Sequence, residues 1–339
     1  MVGYWNRRWR AVLGWLRRKL SERCPNLCRM TDSALARSAA DAVAASTDLL
    51  GDDVLEDSRR RPSLSPSRAA DFKTCPLLYR LRSIDRIPEP PTADQARGTL
   101  VHAVLESLFD LPAAGRDPEA AKALVEPQWQ RLVEAEPALA NVIDGEAAFA
   151  AFLQSTRGLV DSYFTLEDPR RLSPAEREYL VATEIDDGRL QLRGYIDRLD
   201  VAPDGAIRVV DYKTGSAPRE AFEARALFQL KFYALVLWRT RGVVPAVLRL
   251  VYLRDGEVCD FTPEADELAR FERTLIALWE AIARSRERKT FVATPSRLCA
   301  WCSYQSLCPE FGGTTPPFPE ESSISPVPQA RSGDADHAS

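Results

Sequence analysis

The 339-residue chain contains no run of apolar residues approaching the length of a membrane-spanning helix, so no integral membrane segment is expected. It has no G-x-x-x-x-G-K-[ST] stretch, which leaves out a P-loop nucleotide motor. Positive charge is not in excess: 45 Lys and Arg stand against 49 Asp and Glu, for a net charge of -4. That balance argues against wholesale coating by a polyanion, and any such binding must come from a local basic groove. Histidine is scarce, with His102 the only one outside the last three residues. The seven cysteines are odd in number, and the chain lacks the sustained apolar stretch of a secretion signal. Both features point to a reducing cytoplasm, in which thiolates hold metal rather than pair as disulfides.

A hydrophobic content of 45% and a charged content of 28% are those of a soluble globular protein, with enough material for one large domain or two ordinary ones. The most informative stretch is GYIDRLDVAPDGAIRVVDYKTG, Gly194 to Gly215. Segments 190–201 and 206–214 flank Pro203-Asp204-Gly205, whose turn chemistry predicts a β-hairpin. Centred on Asp204, the hairpin places Asp197 opposite Asp211 and Tyr195 opposite Lys213. Alternation then puts Tyr195, Asp197, Leu199, Val201, Ile207, Val209, Asp211 and Lys213 on one face. Like charges directly opposed are destabilising, so the two carboxylates need compensation, which a divalent cation supplies. Hard oxygen ligands suit Mg²⁺ or Mn²⁺. Lys213, on the same face, is placed to orient or deprotonate a water and to stabilise charge developing on phosphorus. A plain surface hairpin with a solvated ion pair is the alternative for D-x-K taken alone.

Asp197 followed by Asp211-Tyr212-Lys213 resembles the signature of the PD-(D/E)XK nuclease superfamily. GYIDRLD with VVDYKTG is similar in wording to its RecB-like exonuclease branch, although Ile196 stands where the superfamily name has proline. The resemblance implies that Asp197 and Asp211 bind metal, together with the backbone carbonyl of Tyr212, and that Lys213 is catalytic. It extends to LSPSRAADFKTCPLLYRL, where Ser65 and Pro66 also read as the start of a helix, and to GTLVHAVLE within a helix over about 93–111. The family histidine in the latter contacts metal or nucleotide, which assigns His102 to the site; Glu106, one turn later, is placed to orient its imidazole. Residues 114–178 read as a helical insertion that roofs a DNA channel, followed by a strand over 179–187. A helix from about Arg219 to Arg241 carries Arg225, Gln229 and Tyr233 on one face. By resemblance Gln229 belongs to the catalytic group, and Tyr233 and Arg225 are candidate DNA contacts. Further strands are expected over 246–253 and up to Phe261, then a last long helix over 263–289.

Cys299, Cys302 and Cys308 form a C-x2-C-x5-C cluster, and a thiolate site wants a fourth ligand. The resemblance, shared with AddB-type nucleases and the exonucleases of CRISPR adaptation, supplies Cys75 and implies a four-iron four-sulfur cluster. Zinc is the competing occupant. Cys259 is left over as a buried residue.

The expected fold is therefore α/β, a restriction-endonuclease-like mixed β-sheet flanked by helices over 63–311, with the insertion and a C-terminal cysteine-rich clasp at 299–308. Residues 1–62 read as a disordered leader containing a basic amphipathic helix at 1–20; the alternative for residues 1–29 is that they lie upstream of a true start at Met30. Residues 312–339, rich in Pro, Ser and acid, read as a disordered tail. The expected activity is Mg²⁺- or Mn²⁺-dependent hydrolysis of DNA phosphodiesters, from ends of single strands, in repair or recombination, with any helicase or repair subunit a separate chain. The alternatives are a catalytically silent DNA-binding or assembly subunit and a zinc-stabilised RNA-processing protein.

Overall fold

The computed structural model describes residues 63–217 and 223–319. The expected leader, and the expected tail beyond residue 319, lie outside the described residues.

The first described turns follow local sequence signals. A short strand β1 (Ser63–Leu64) leads into helix α1 (Pro66–Thr74), where Ser65 caps the N-terminus by accepting from the Arg68 N–H at 3.3 Å and Pro66 occupies the first turn. The helical turn α2 (Pro76–Tyr79) continues into a π-helical turn at Arg80–Ile84. Helix α3 (Ala93–Leu108) opens with a capping box between Thr92 and Gln95, so two orphan donors are satisfied reciprocally. Three helices follow: α4 (Pro118–Ala123), α5 (Val125–Ala135) and α6 (Glu146–Leu166). The sheet is completed by β2 (Glu176–Ile185), β3 (Leu190–Val201), β4 (Ile207–Lys213), β5 (Val247–Tyr252) and β6 (Glu257–Phe261). Helix α7 (Glu223–Arg241) connects β4 to β5, and α8 (Ala265–Glu287) follows β6. No helix among the described residues is long and apolar enough to cross a membrane.

The six strands form one mixed sheet in the order β1-β3-β4-β5-β6, with β2 also paired to β3. The β3/β4 hairpin has the register its turn predicts: Val201 faces Ile207, Leu199 faces Val209, and Arg198 faces Val210. Gly205 adopts φ +82° and Asp204 Oδ1 accepts the Ala206 N–H at 3.1 Å, which fixes the turn. β4 and β5 run parallel, as a helical crossover requires.

Helices cover both faces. On one side α1, α7 and α8 bury Phe72, Phe232, Leu235 and Trp279 against Leu192, Ile196, Leu199, Val209 and Leu248. On the other, α3 and the inserted helices bury Leu100, Leu105, Trp129, Phe152 and Tyr163 against Val210, Tyr212, Val251 and Leu253. The insertion, expected as a roof over a channel, is a layer of the core: its aromatic residues Trp129, Phe149 and Phe152 pack on one another and on α3. The chain after Phe311 also departs from expectation. Through residue 319 it packs back: Phe318 stacks on Phe291, and Pro316 O accepts from Arg80 Nη2.

Candidate active site

The site lies where the sheet comes apart. The β3/β4 ladder stops at Arg198 and Val210, while β1 pairs with β3 only at Gln191 and Leu192. The intervening edge of β3, residues 193–197, has no strand beside it, and Asp197 stands at the mouth of this gap. Its Oδ2 accepts the Tyr212 N–H at 2.7 Å, so the side chain replaces the next rung of the ladder.

The alternation of β3 also shifts here. Leu190, Leu192 and Ile196 pack into the same core as Leu199 and Val201, which differ from them by an odd number of residues. The expectation that Tyr195 shares a face with Leu199 therefore fails. The partner strand compensates: β2 pairs with β3 in constant register on both sides of Asp197, but Glu178, which faces it, takes φ +42° and forms no ladder pair. Two irregular residues face each other, and both carboxylates turn toward the gap.

His102 arrives from α3. Its Nε2 donates to Tyr212 O at 3.0 Å, and its Nδ1 lies 3.5 Å from Asp197 Oδ2 and 3.7 Å from Glu178 Oε1. Ligand atoms of His102, Glu178 and Asp197 all lie within 4.8 Å of one another. Burial alone would lower the imidazole, but the carboxylates of Asp197, Glu178 and Asp211 outweigh it and hold His102 at about 9. Burial and the neighbouring Asp211 push Asp197 up to about 7, against the pull of His102 and the Tyr212 N–H. This is negative charge in need of a counter-ion.

Asp211 is 2% exposed. Lys213 Nζ lies 2.7 Å from its Oδ2, and the same amine donates to Gln229 Oε1 at 2.9 Å. Gln229 Nε2 in turn donates to Tyr233 OH at 3.0 Å. The tyrosine ring fits because residue 194 is glycine: a Cβ there would sit 2.7 Å from Tyr233 Cε1.

Behind the gap, on the face of the inserted helices, Arg198 is buried among charges. It donates to Glu167 Oε2 at 2.8 Å, to Asp200 Oδ1 at 3.1 Å and to the Tyr212 hydroxyl, while Arg249 reaches Glu167 Oε1 at 3.1 Å. Burial raises the Glu167 carboxyl, but Arg198, Arg249 and Arg208 prevail and hold it down at about 2. The residues next to Asp197 and between Asp211 and Lys213 are thus joined from behind.

The structure brings together His102, Asp197, Asp211, Tyr212, Lys213 and Gln229 as the sequence suggested. Tyr233, the candidate DNA contact, is only 4% exposed, and its hydroxyl accepts from Gln229, which it supports. The side chain of Arg225 lies outside the described residues. Glu106 is exposed, and Asp197 and Glu178 take the place beside His102 Nδ1 that was expected for it. Glu178 escaped the sequence reading, which continued the helical pattern to that residue; β2 in fact begins at Glu176. Pro174, just before the strand, was the available signal.

Cys75, Cys299, Cys302 and Cys308 line one cavity of about 50 Å³, together with apolar Leu77 and Leu81. Thr294 N–H donates to Cys75 Sγ at 3.4 Å and Ser296 N–H to Cys299 Sγ at 3.3 Å. Burial pushes the Cys302 thiol up, and Cys299 and Cys75 add to the effect. Cys259 lies apart on β6 and is half-buried.

A family model described as the PD-(D/E)XK nuclease superfamily matches residues 63–309, and the chain belongs to that superfamily. Among curated proteins it is similar to the Gene 69 protein of Mycobacterium phage D29, 28% identical over an alignment of 204 residues that covers 54% of this chain and 71% of the relative. A crystal structure named "Putative exonuclease" from Eubacterium rectale is 11% identical, with a TM-score of 0.44 over 73% of this chain and 88% of that one. The crystal structure of SSO0001 is 16% identical, with a TM-score of 0.33 over 63% of this chain and 94% of the other.

Proposed function

We propose that this nuclease is a Mg²⁺- or Mn²⁺-dependent deoxyribonuclease that removes nucleotides from ends of single-stranded DNA, in repair or recombination. The observation that carries the reading is the convergence of Asp197, Glu178, Asp211, His102 and Lys213 on one gap in the sheet. The donor set is carboxylates, one imidazole and the Tyr212 carbonyl, which suits a hard cation. Such an ion would polarise the scissile phosphate and offset the clustered negative charge.

The remaining work falls to the chain. Asp197 and Glu178 face the same point from β3 and β2, and His102 closes the third side. Lys213 sits beside Asp211 with its amine directed by Gln229, placed to orient an attacking water and to stabilise charge on the phosphoryl oxygens. Tyr233 fixes Gln229, and Gly194 makes room for Tyr233.

The four-cysteine cavity supports an iron-sulfur cluster as the second cofactor. Backbone N–H groups aimed at two sulfurs suit thiolates in such a cluster. Its role would be to join α1 and α2 to the end of the domain.

The test uses end-labelled single- and double-stranded DNA with Mn²⁺ and compares the parent with Lys213→Ala. Loss of cleavage in the variant is expected; equal degradation by both overturns the proposal.

A further inference from the structure

We propose that Tyr195 is a stacking platform for an unpaired nucleobase of the strand held at the cation site. The inference rests on the nuclease reading above and adds a substrate contact to it.

Tyr195 is 51% exposed in the middle of an otherwise well-packed strand. Its neighbours point the other way: the Cβ position of Gly194 faces Tyr233, and Ile196 is fully buried in the core with α7. Alternation therefore presents the Tyr195 ring on the opposite face of β3. It lies within the unpaired edge 193–197, so no strand covers it from that side. Asp197 is two residues away, about 7 Å along a strand.

The surroundings match the chemistry of a nucleotide strand. Leu180, directly across on β2, is a partly buried apolar neighbour for the ring. Arg193, two residues further along the same face and across from Ala182, adds a cation for phosphate. Isolated exposed aromatics are common, but this one stands two residues from Asp197 within the unpaired edge of β3. Stacking on an aromatic ring is open to any base, provided the base is not already stacked in a duplex. The ligand class is thus single-stranded nucleic acid, recognised without regard to sequence.

Fluorescence anisotropy with a labelled single-stranded oligonucleotide and Ca²⁺ reads the contact directly, using the full chain. Tyr195→Ala should raise Kd by about 5- to 150-fold, and Tyr195→Phe should restore it. Abasic sites introduced one at a time should weaken binding by the parent at one position while leaving Tyr195→Ala unaffected there. The proposal falls if Tyr195→Ala binds as the parent does, or if every abasic position costs both proteins equally. Because Tyr195 is exposed, loss of fold is not expected, and unchanged circular dichroism checks it. The nuclease reading is judged separately by the Lys213→Ala cleavage comparison, so the two can fail independently.

Discussion

Gly194→Ala should disable the site without touching any charged residue. A Cβ at this position would lie 2.7 Å from Tyr233 Cε1, whereas ordinary contact begins at 3.4 Å. The ring must therefore retreat by about 0.7 Å, the difference between those two distances. The Tyr233 hydroxyl, now 3.0 Å from Gln229 Nε2, would stand up to about 3.7 Å away if the ring retreats along that bond, beyond hydrogen-bond reach. Gln229 loses the contact that aims its Oε1 at the Lys213 amine. Overpacking of this kind costs about 1–3 kcal/mol of stability, and misplacing a catalytic group by about 1 Å costs up to about 100-fold in rate. The assay pairs urea denaturation with cleavage of end-labelled DNA. Tyr233→Phe serves as the companion, since it keeps the ring and removes only the hydroxyl: its rate should fall with a smaller change in denaturation midpoint. The reasoning is refuted if Gly194→Ala keeps the parent's rate and midpoint, or if Tyr233→Phe cleaves as fast as the parent.

Three other outcomes follow from the charges and thiols. Glu167 falls from 4.5 to about 2 on folding. At about 1.4 kcal/mol per decade this contributes about 3 kcal/mol, present above pH 4.5 and lost as pH falls through about 2. Glu167→Gln should therefore lower urea stability by about that much at pH 7 and by progressively less below pH 4; a constant difference across that range would contradict the assignment. His102 and Asp197 are both raised, to about 9 and about 7, so each favours the folded state when protonated. The metal-free protein should lose thermal stability as pH rises from about 5 to 9, while added Mg²⁺ stabilises it increasingly over the same window; a pH-independent effect of Mg²⁺ would count against these ligands. Cys75→Ser should lower the iron content of anaerobically purified protein and bleach its visible absorption, whereas a colourless parent with stoichiometric zinc would replace the cluster by zinc.

Much of the site could be read from the sequence because one turn fixes it. Pro203-Asp204-Gly205 sets the hairpin register, and the register carries Asp197 and the Asp211-Lys213 pair to the same end of two strands. Alternation alone could not reveal that the strands part beyond Arg198, nor that β3 changes phase at Asp197, since both depend on Tyr212 N–H turning to a side chain. Glu178 was hidden because the helical pattern ran on past Pro174 to it, and its left-handed backbone at φ +42° follows no alternation. The aromatic spacing of the insertion showed helices and a buried face, but not which side of the sheet they would cover. Burial of Tyr233 required knowing that Gly194 lies beneath it. The chain after Phe311 looked too polar to pack, yet Phe318 finds Phe291.

The first helices of the domain and its final residues share one small core. Tyr304 is buried with Leu77 and Leu81, and its hydroxyl donates to Ile87 O at 2.8 Å. A ribosome making this chain therefore finishes both acids, the amine and the whole sheet before it supplies the cover for α2. A nascent protein released only as far as residue 290 would hold the candidate site on an incomplete body, with greasy side chains open to chaperones or to aggregation.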